Sequence, residues 1–199
     1  IQIILLDGRT FRDDLIKWTD QINRPNRFFY HLDYAPHTNQ TATLLGEKQW
    51  AWLEDELSKP ADCRILASGT QFGIDYNGYE AWANFPHEQE RLIQLINKTQ
   101  ANHLVALSGD VHYAEISKFE HSDCYPLFDI TASGLSQTWK FATPNRNRIE
   151  GPIMDNHFGL LTITLSGSRP NLMAEIWDIR GNQRVEYTIP FHEISFSKE

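Results

Sequence analysis

Three short apolar runs, each closing on a glycine-containing turn, constrain this chain more than any other feature. Ile1 to Leu6 (IQIILL) leads into Asp7-Gly8-Arg9. Cys63 to Ser68 (CRILAS) ends at Gly69, and Leu104 to Ser108 (LVALS) ends at Gly109. Between them lie segments with helical spacing. In Leu45 to Ser58 the apolar residues fall at Leu45, Trp50, Leu53 and Leu57, with Thr43 in the N-cap region, Glu47 in the first turn and Pro60 as a stop. In His87 to Lys98 they fall at Leu92, Leu95 and Ile96. Strand, helix, strand, helix, strand, with every strand apolar throughout, is the pattern of βαβ units whose parallel sheet is covered by helices. The opening IQIILL reads as a buried strand, which predicts that the chain is part of a longer protein.

The second half changes character. YPLFDITAS, GLLTITLSG, NLMAEIWDI and RVEYTIP are short strand-like segments separated by turn residues, and Arg180-Gly181-Asn182 reads as a hairpin turn. These predict antiparallel pairing and therefore a mixed α/β fold. Gln21 to Thr41 lacks periodicity and reads as a long loop.

Composition narrows the function. Of 199 residues, 41% are hydrophobic, enough for a core at this length. Lys and Arg number 18 against 26 Asp and Glu, a net charge of -8, and no basic run offers the phosphate contacts of a nucleic-acid binder. A phosphorylated small molecule stays open, because a metal ion supplies local positive charge. No apolar stretch approaches the ~18 residues of a membrane span. Cys63 and Cys124 fit no zinc spacing, and their pairing depends on folded distance.

In a parallel sheet, ligands gather beyond the carboxyl ends of the strands. The turns DGRTFR, SGTQFG and SGDVH follow the three strands and should converge on one edge. Within the third, Asp110 and His112 stand two apart, which in extended chain puts both on one face. Carboxylate with neutral imidazole suits Zn, Mn or Fe. A turn-capping Asp and a His satisfying a backbone group fit the same spacing.

The ordered set LLDGRTFRD, LLGEKQWAWLEDEL, ASGTQF, EAWANFPHEQERLIQLI, LSGDVHYAEI, DITASGLSQ and HFGLLTI resembles the later part of the PhoD-like alkaline phosphatases, a branch of the metallophosphoesterases. The resemblance runs from Ile3 to about Asp178. It implies an α/β/β/α sandwich, present here as its later portion, with residues 1–199 forming the C-terminal part of the domain. It also implies two or more divalent or trivalent metal ions (Fe with Ca, Zn or Mn) and hydrolysis of a phosphoester without a covalent nucleophile. The family's Gly-Asp-x-His matches Gly109 to His112, so Asp110 and His112 carry over as metal ligands and catalytic residues. The family's Asp-Asp-His-Glu segment does not occur in this sequence, so its missing N-terminal half is the expected partner, alongside a phosphoester small molecule.

Arg9, Gln71 and Asn84 are the candidate substrate-binding residues: Arg9 as a bidentate phosphate clamp, Gln71 to orient water or substrate, Asn84 to line the pocket. The bland alternatives are an Asp7–Arg9 ion pair and structural roles for Gln71 and Asn84, with His87 capping the second helix. Glu115 is expected to support His112 or to face solvent, and His31, His37 and His103 to be surface residues. Family members are commonly exported, which favours a periplasmic or external location. The rival readings are a phosphodiesterase on the same scaffold and a non-catalytic structural or interaction domain.

Overall fold

The computed structural model describes residues 1–18, 34–75, 78–167 and 169–196. Its elements in chain order are β1 (Gln2–Leu5), β2 (Ile16–Lys17), β3 (Tyr34–Ala35), α1 (Glu47–Leu57), β4 (Arg64–Ala67), α2 (Pro86–Thr99), β5 (Leu104–Ser108), β6 (Ala114–His121), β7 (Cys124–Ala132), β8 (Arg148–Ile153), β9 (His157–Thr164), β10 (Asn171–Asp178) and β11 (Gln183–Pro190). A six-stranded sheet has the order β1-β4-β5-β7-β6-β8. Its β1, β4, β5 and β7 run parallel, and β6 and β8 close it antiparallel. A second, antiparallel sheet has the order β11-β10-β9. This is the mixed α/β architecture that the sequence predicts; β7, expected from its place in the second half to pair antiparallel, does so with β6 but runs parallel to β5.

The layers follow from strand alternation. On β7, Phe128 faces the second sheet and lies 5.8 Å from Tyr187 of β11. Leu172, Ala174 and Ile176 of β10 join the same core. The alternate residue Asp129 points the other way, where its Oδ2 accepts the amides of Phe72 and Gly73, each at 2.8 Å. Helix α2 secures that segment, since Gln89 Nε2 donates to the Phe72 carbonyl at 2.7 Å. Only glycine fits at 73, because a Cβ there would stand 2.6 Å from Asp129 Cβ.

The two helices are locked together by a buried carboxylate. Glu88 of α2 accepts Trp50 Nε1 at 2.8 Å, the Leu44 amide at 2.9 Å and the Thr43 hydroxyl at 3.1 Å. This revises the expected role of Thr43. The N-cap of α1 is Gly46, with φ 76, and Thr43, three residues before it, accepts the Gly46 amide on its Oγ1. Left-handed φ is the reason glycine stands there.

The expectation of a strand buried on both faces fails for β1. Ile4 and Leu6 are buried, but Ile3 is 73% and Leu5 74% exposed. Among the described residues β4 is its only partner, so β1 is an edge strand with an uncovered apolar face. The Gln21 to Thr41 loop falls largely outside the described residues, as does His31; its later part contributes β3, paired antiparallel with β2. Cys63 and Cys124 are both free thiols. Among the described residues, no helix is long and apolar enough to cross a membrane.

Candidate active site

Strand β5 delivers Ser108 to the carboxyl edge of the sheet, and the chain then bends through Gly109 to Tyr113. Asp110 has φ 76 and His112 φ 56. The spacing implies extended geometry, and the structure departs from it. Two left-handed residues set the turn instead, a conformation that costs a non-glycine residue about 1 kcal/mol or more each and that clusters at functional sites. The surroundings hold it: the His112 amide donates to Ser133 Oγ at 3.0 Å, and the Trp139 amide donates to the His112 carbonyl at 3.2 Å. The imidazole lies 5.7 Å from the Trp139 ring, and its Nδ1 is buried without a hydrogen-bond partner.

Charge gathers on the open side. Arg9 reaches Asp110 at 3.5 Å and Glu80 at 2.8 Å, and Arg12 reaches Glu80 at 3.0 Å. Burial, then the negative charge of Glu80, pushes the Asp110 carboxyl above its usual range, against the pull of Arg9, His112 and Arg12. The expected alternative of an Asp7–Arg9 ion pair is not formed. Asp7 Oδ1 instead accepts the amides of Arg9 at 3.0 Å and Thr10 at 2.9 Å, shaping the turn that frees the Arg9 guanidinium to reach across to Asp110.

Gln71 sits one layer deeper than its expected role suggests. It is fully buried, and its Nε2 donates to Glu115 at 2.8 Å and Thr131 Oγ1 at 3.1 Å. Thr131 in turn meets Ser108 at 2.8 Å, so Gln71 supports the end of β5 from behind. Asn84 is buried in a short 3-10 turn, Trp82–Asn84, where its Oδ1 accepts the Ala81 amide at 2.7 Å and its carbonyl accepts the His37 amide at 2.8 Å. That is a structural use of its carbonyl groups. Trp82 Nε1 donates to Ser68 at 3.0 Å.

Several expected placements change. Glu115 neither supports His112 nor faces solvent. It is fully buried, paired with Arg148 and hydrogen-bonded by Gln71 and by Asn145 at 2.8 Å. His87 does not cap α2, whose N-cap is Phe85; its Nε2 meets the Ala42 carbonyl. His37 is buried and stacked 4.5 Å from Phe85, where a surface position was expected. His103 lies against Phe191 with ring centroids 4.4 Å apart.

Behind the site, Arg148 joins Glu115 to the loop that carries Trp139. Its Nη2 donates to the Thr143 carbonyl at 2.6 Å, and the Thr143 hydroxyl meets Tyr113 Oη at 2.9 Å. Asp129 completes this interior. Burial raises its carboxyl above 3.8, against the hydrogen bonds of Gly73, Ser108 and Phe72. A carboxyl whose folded pKa is raised contributes stability that is complete below pH 3.8 and is lost as pH climbs through the folded value. Asp129→Asn mimics the protonated form, so its melting temperature relative to wild type should rise between pH 4 and pH 8. Paired thermal melts check this, and a difference independent of pH would show that Asp129 does not titrate on unfolding.

Glu80, Arg12, Arg148 and Asp129 went unnoticed in the sequence. Each stands tens of residues from its partner, so no local spacing marks them. Among the described residues, no group of three or more His, Cys, Asp or Glu side chains is placed to hold a metal ion.

A family model described as PhoD-like phosphatase matches residues 1–151. The alkaline phosphatase D of Bacillus subtilis (strain 168) is 32% identical over 118 residues, covering 54% of this chain and 18% of that relative. A solved structure of PhoD aligns with a TM-score of 0.56 at 19% identity, covering 94% of this chain and 42% of that one. The chain therefore matches less than half the length of either relative, and the second likeness speaks to fold.

Proposed function

Because this chain belongs to the PhoD-like phosphatase family, we propose that it is the C-terminal part of a metal-dependent phosphoester hydrolase, folded as part of an α/β/β/α sandwich. The observation that carries the reading is the placement of Asp110 and His112 in the left-handed turn that follows β5, inside the family-matched region. Their donor set fits a hard or borderline metal: a carboxylate on the open side beside an imidazole whose buried Nδ1 lacks a partner. Asp110 and His112 would hold the ions, and segments outside this chain would supply the further donors that a closed site needs. When bound, such ions supply Lewis acidity and charge neutralisation at phosphorus.

The chain's own groups then divide the remaining work. Arg9, 61% exposed in its side chain, offers a guanidinium beside Asp110 that exchanges its contact with Glu80 for a phosphate oxygen. Glu80 and Arg12 hold that guanidinium ready. Gln71, Thr131 and Ser108 keep the end of β5 from shifting. Both a monoester and a diester suit this arrangement, and export from the cytoplasm accords with the family.

The test is elemental mass spectrometry on the purified full-length protein, alongside hydrolysis of a phosphomonoester and a phosphodiester. Near-stoichiometric metal with turnover is expected. Absence of both in the full-length protein would overturn the hydrolase and leave a non-catalytic domain. The ratio of the two rates separates phosphatase from phosphodiesterase.

A further inference from the structure

Two sequence segments, DITASGLSQ and HFGLLTI, take no part in the chemistry assigned so far, and the fold closes one onto the other. His157 opens β9 and is fully buried. Gly134 follows the end of β7 and lies directly against its ring. A Cβ at residue 134 would stand 2.3 Å from His157 Cε1, so only glycine lets the imidazole rest on the backbone there.

The hydrogen bonds fix the state of that ring. Its Nδ1 lies 2.7 Å from the Asp155 carbonyl, which only accepts, so Nδ1 carries the proton. Its Nε2 keeps the lone pair and accepts the Gly134 amide at 3.0 Å. Burial lowers the imidazole pKa, against the pull of Asp155, and favours this neutral form. The Gly134 carbonyl is engaged as well: it accepts the His157 amide at 3.2 Å and Asn156 Nδ2 at 3.1 Å. Both backbone groups of one loop residue are therefore held from the start of β9. Packing alone would be served by a phenyl ring, which brings no polar atom to desolvate.

What Gly134 anchors is its neighbour Ser133. The Ser133 hydroxyl accepts the His112 amide at 3.0 Å and donates to the Tyr113 carbonyl at 3.4 Å. These bonds bear on the turn in which Asp110 and His112 take left-handed φ, a conformation that persists only where its surroundings enforce it.

Resting on the phosphohydrolase reading, we infer that His157 is a positioning residue for the candidate active site: its Nε2 lone pair holds Gly134, Gly134 seats Ser133, and Ser133 holds the turn that carries Asp110 and His112. It acts through this chain of contacts and touches no reacting atom.

The test uses the full-length protein and three variants. His157→Phe keeps a ring and removes the acceptor. His157→Gln restores an acceptor, since its Oε1 reaches about as far as the imidazole Nε2. Asn156→Ala leaves the ring and loosens Gly134 from its carbonyl side. The readouts are hydrogen exchange by mass spectrometry over residues 109–114, and kcat and KM for a phosphomonoester. In His157→Phe, exchange over that turn should quicken several-fold and kcat should fall about tenfold or more, with KM within about twofold of wild type. His157→Gln should return both exchange and kcat most of the way to wild type. Wild-type exchange in His157→Phe, a raised KM with kcat unmoved, or a glutamine variant no better than the phenylalanine one would each overturn the assignment. Where His157→Phe does not fold, Asn156→Ala decides: it should quicken the same exchange by a smaller factor, and unchanged exchange would overturn the chain of contacts. Quickened exchange in a protein that hydrolyses no ester would keep that chain and overturn the hydrolase.

Discussion

Replacing Arg148 with methionine should destabilise the protein by about 3–5 kcal/mol, the cost of leaving a buried carboxylate without its counter-charge. Glu115 is wholly enclosed, with its side chain at 0% exposure against 19% for Arg148. Two neutral amides, Gln71 and Asn145, also donate to it, and they satisfy hydrogen bonding without neutralising charge. Methionine keeps much of the length and apolar stem of arginine, so the loss reports the charge and its bonds more than a void. Urea unfolding measures it. The double variant Glu115→Gln with Arg148→Met should recover most of the loss, because removing both charges together strands neither. A single-variant loss below about 1 kcal/mol would mean that the pair contributes no more than a surface ion pair. The effect should reach the candidate active site too, since Arg148 holds the Thr143 carbonyl at the end of the Trp139 loop.

The second large effect concerns chemistry rather than stability. Asp110→Asn and His112→Asn should each lower hydrolysis by the full-length protein by about 100-fold or more, beyond what loss of a mere supporting residue gives. Asparagine is the right replacement because both positions have left-handed φ, 76 and 56, which asparagine tolerates better than any other residue except glycine. Alanine at either position adds about 1 kcal/mol of backbone strain and confuses folding with function. The asparagine variants should unfold near the wild-type midpoint, and their bound metal should fall with their turnover. Retention of turnover within a few-fold of wild type, with metal intact, would remove Asp110 and His112 from the catalytic centre and return them to the turn-capping role that their spacing also permits.

Much of the fold was legible because it depends on local pattern. The apolar runs of β4 and β5 and the helical spacing of α1 and α2 appear where periodicity places them, since a strand enclosed on both faces and a helix with one buried stripe each leave a direct trace in the sequence. The hairpin at Arg180-Gly181-Asn182 was legible for the same reason: Gly181 supplies the left-handed φ of 82 that the turn demands. For β1 the same apolar run misleads. Its hydrophobicity says that two faces want covering, whereas its position at the edge of the sheet covers only one.

The candidate site divides along the same line. The residue types at the end of β5 were visible in SGDVH, because Gly-Asp-x-His is a contiguous motif. How they meet was not, for alternation implies an extended strand and the tertiary contacts of Ser133 and Trp139 hold two left-handed residues instead. The sequence by itself determined the alternation of strands and helices in the first half, the residue types at 110 and 112, and the family to which the chain belongs. Tertiary structure alone decided that Glu115 is an interior ion partner, that Arg9 turns from Asp7 toward Asp110 and Glu80, and that Trp139 stands beside His112. The reason is physical: backbone periodicity is set by neighbours within a few residues, whereas the partner of a buried charge or of an aromatic ring is chosen by whichever side chain the fold brings within contact distance.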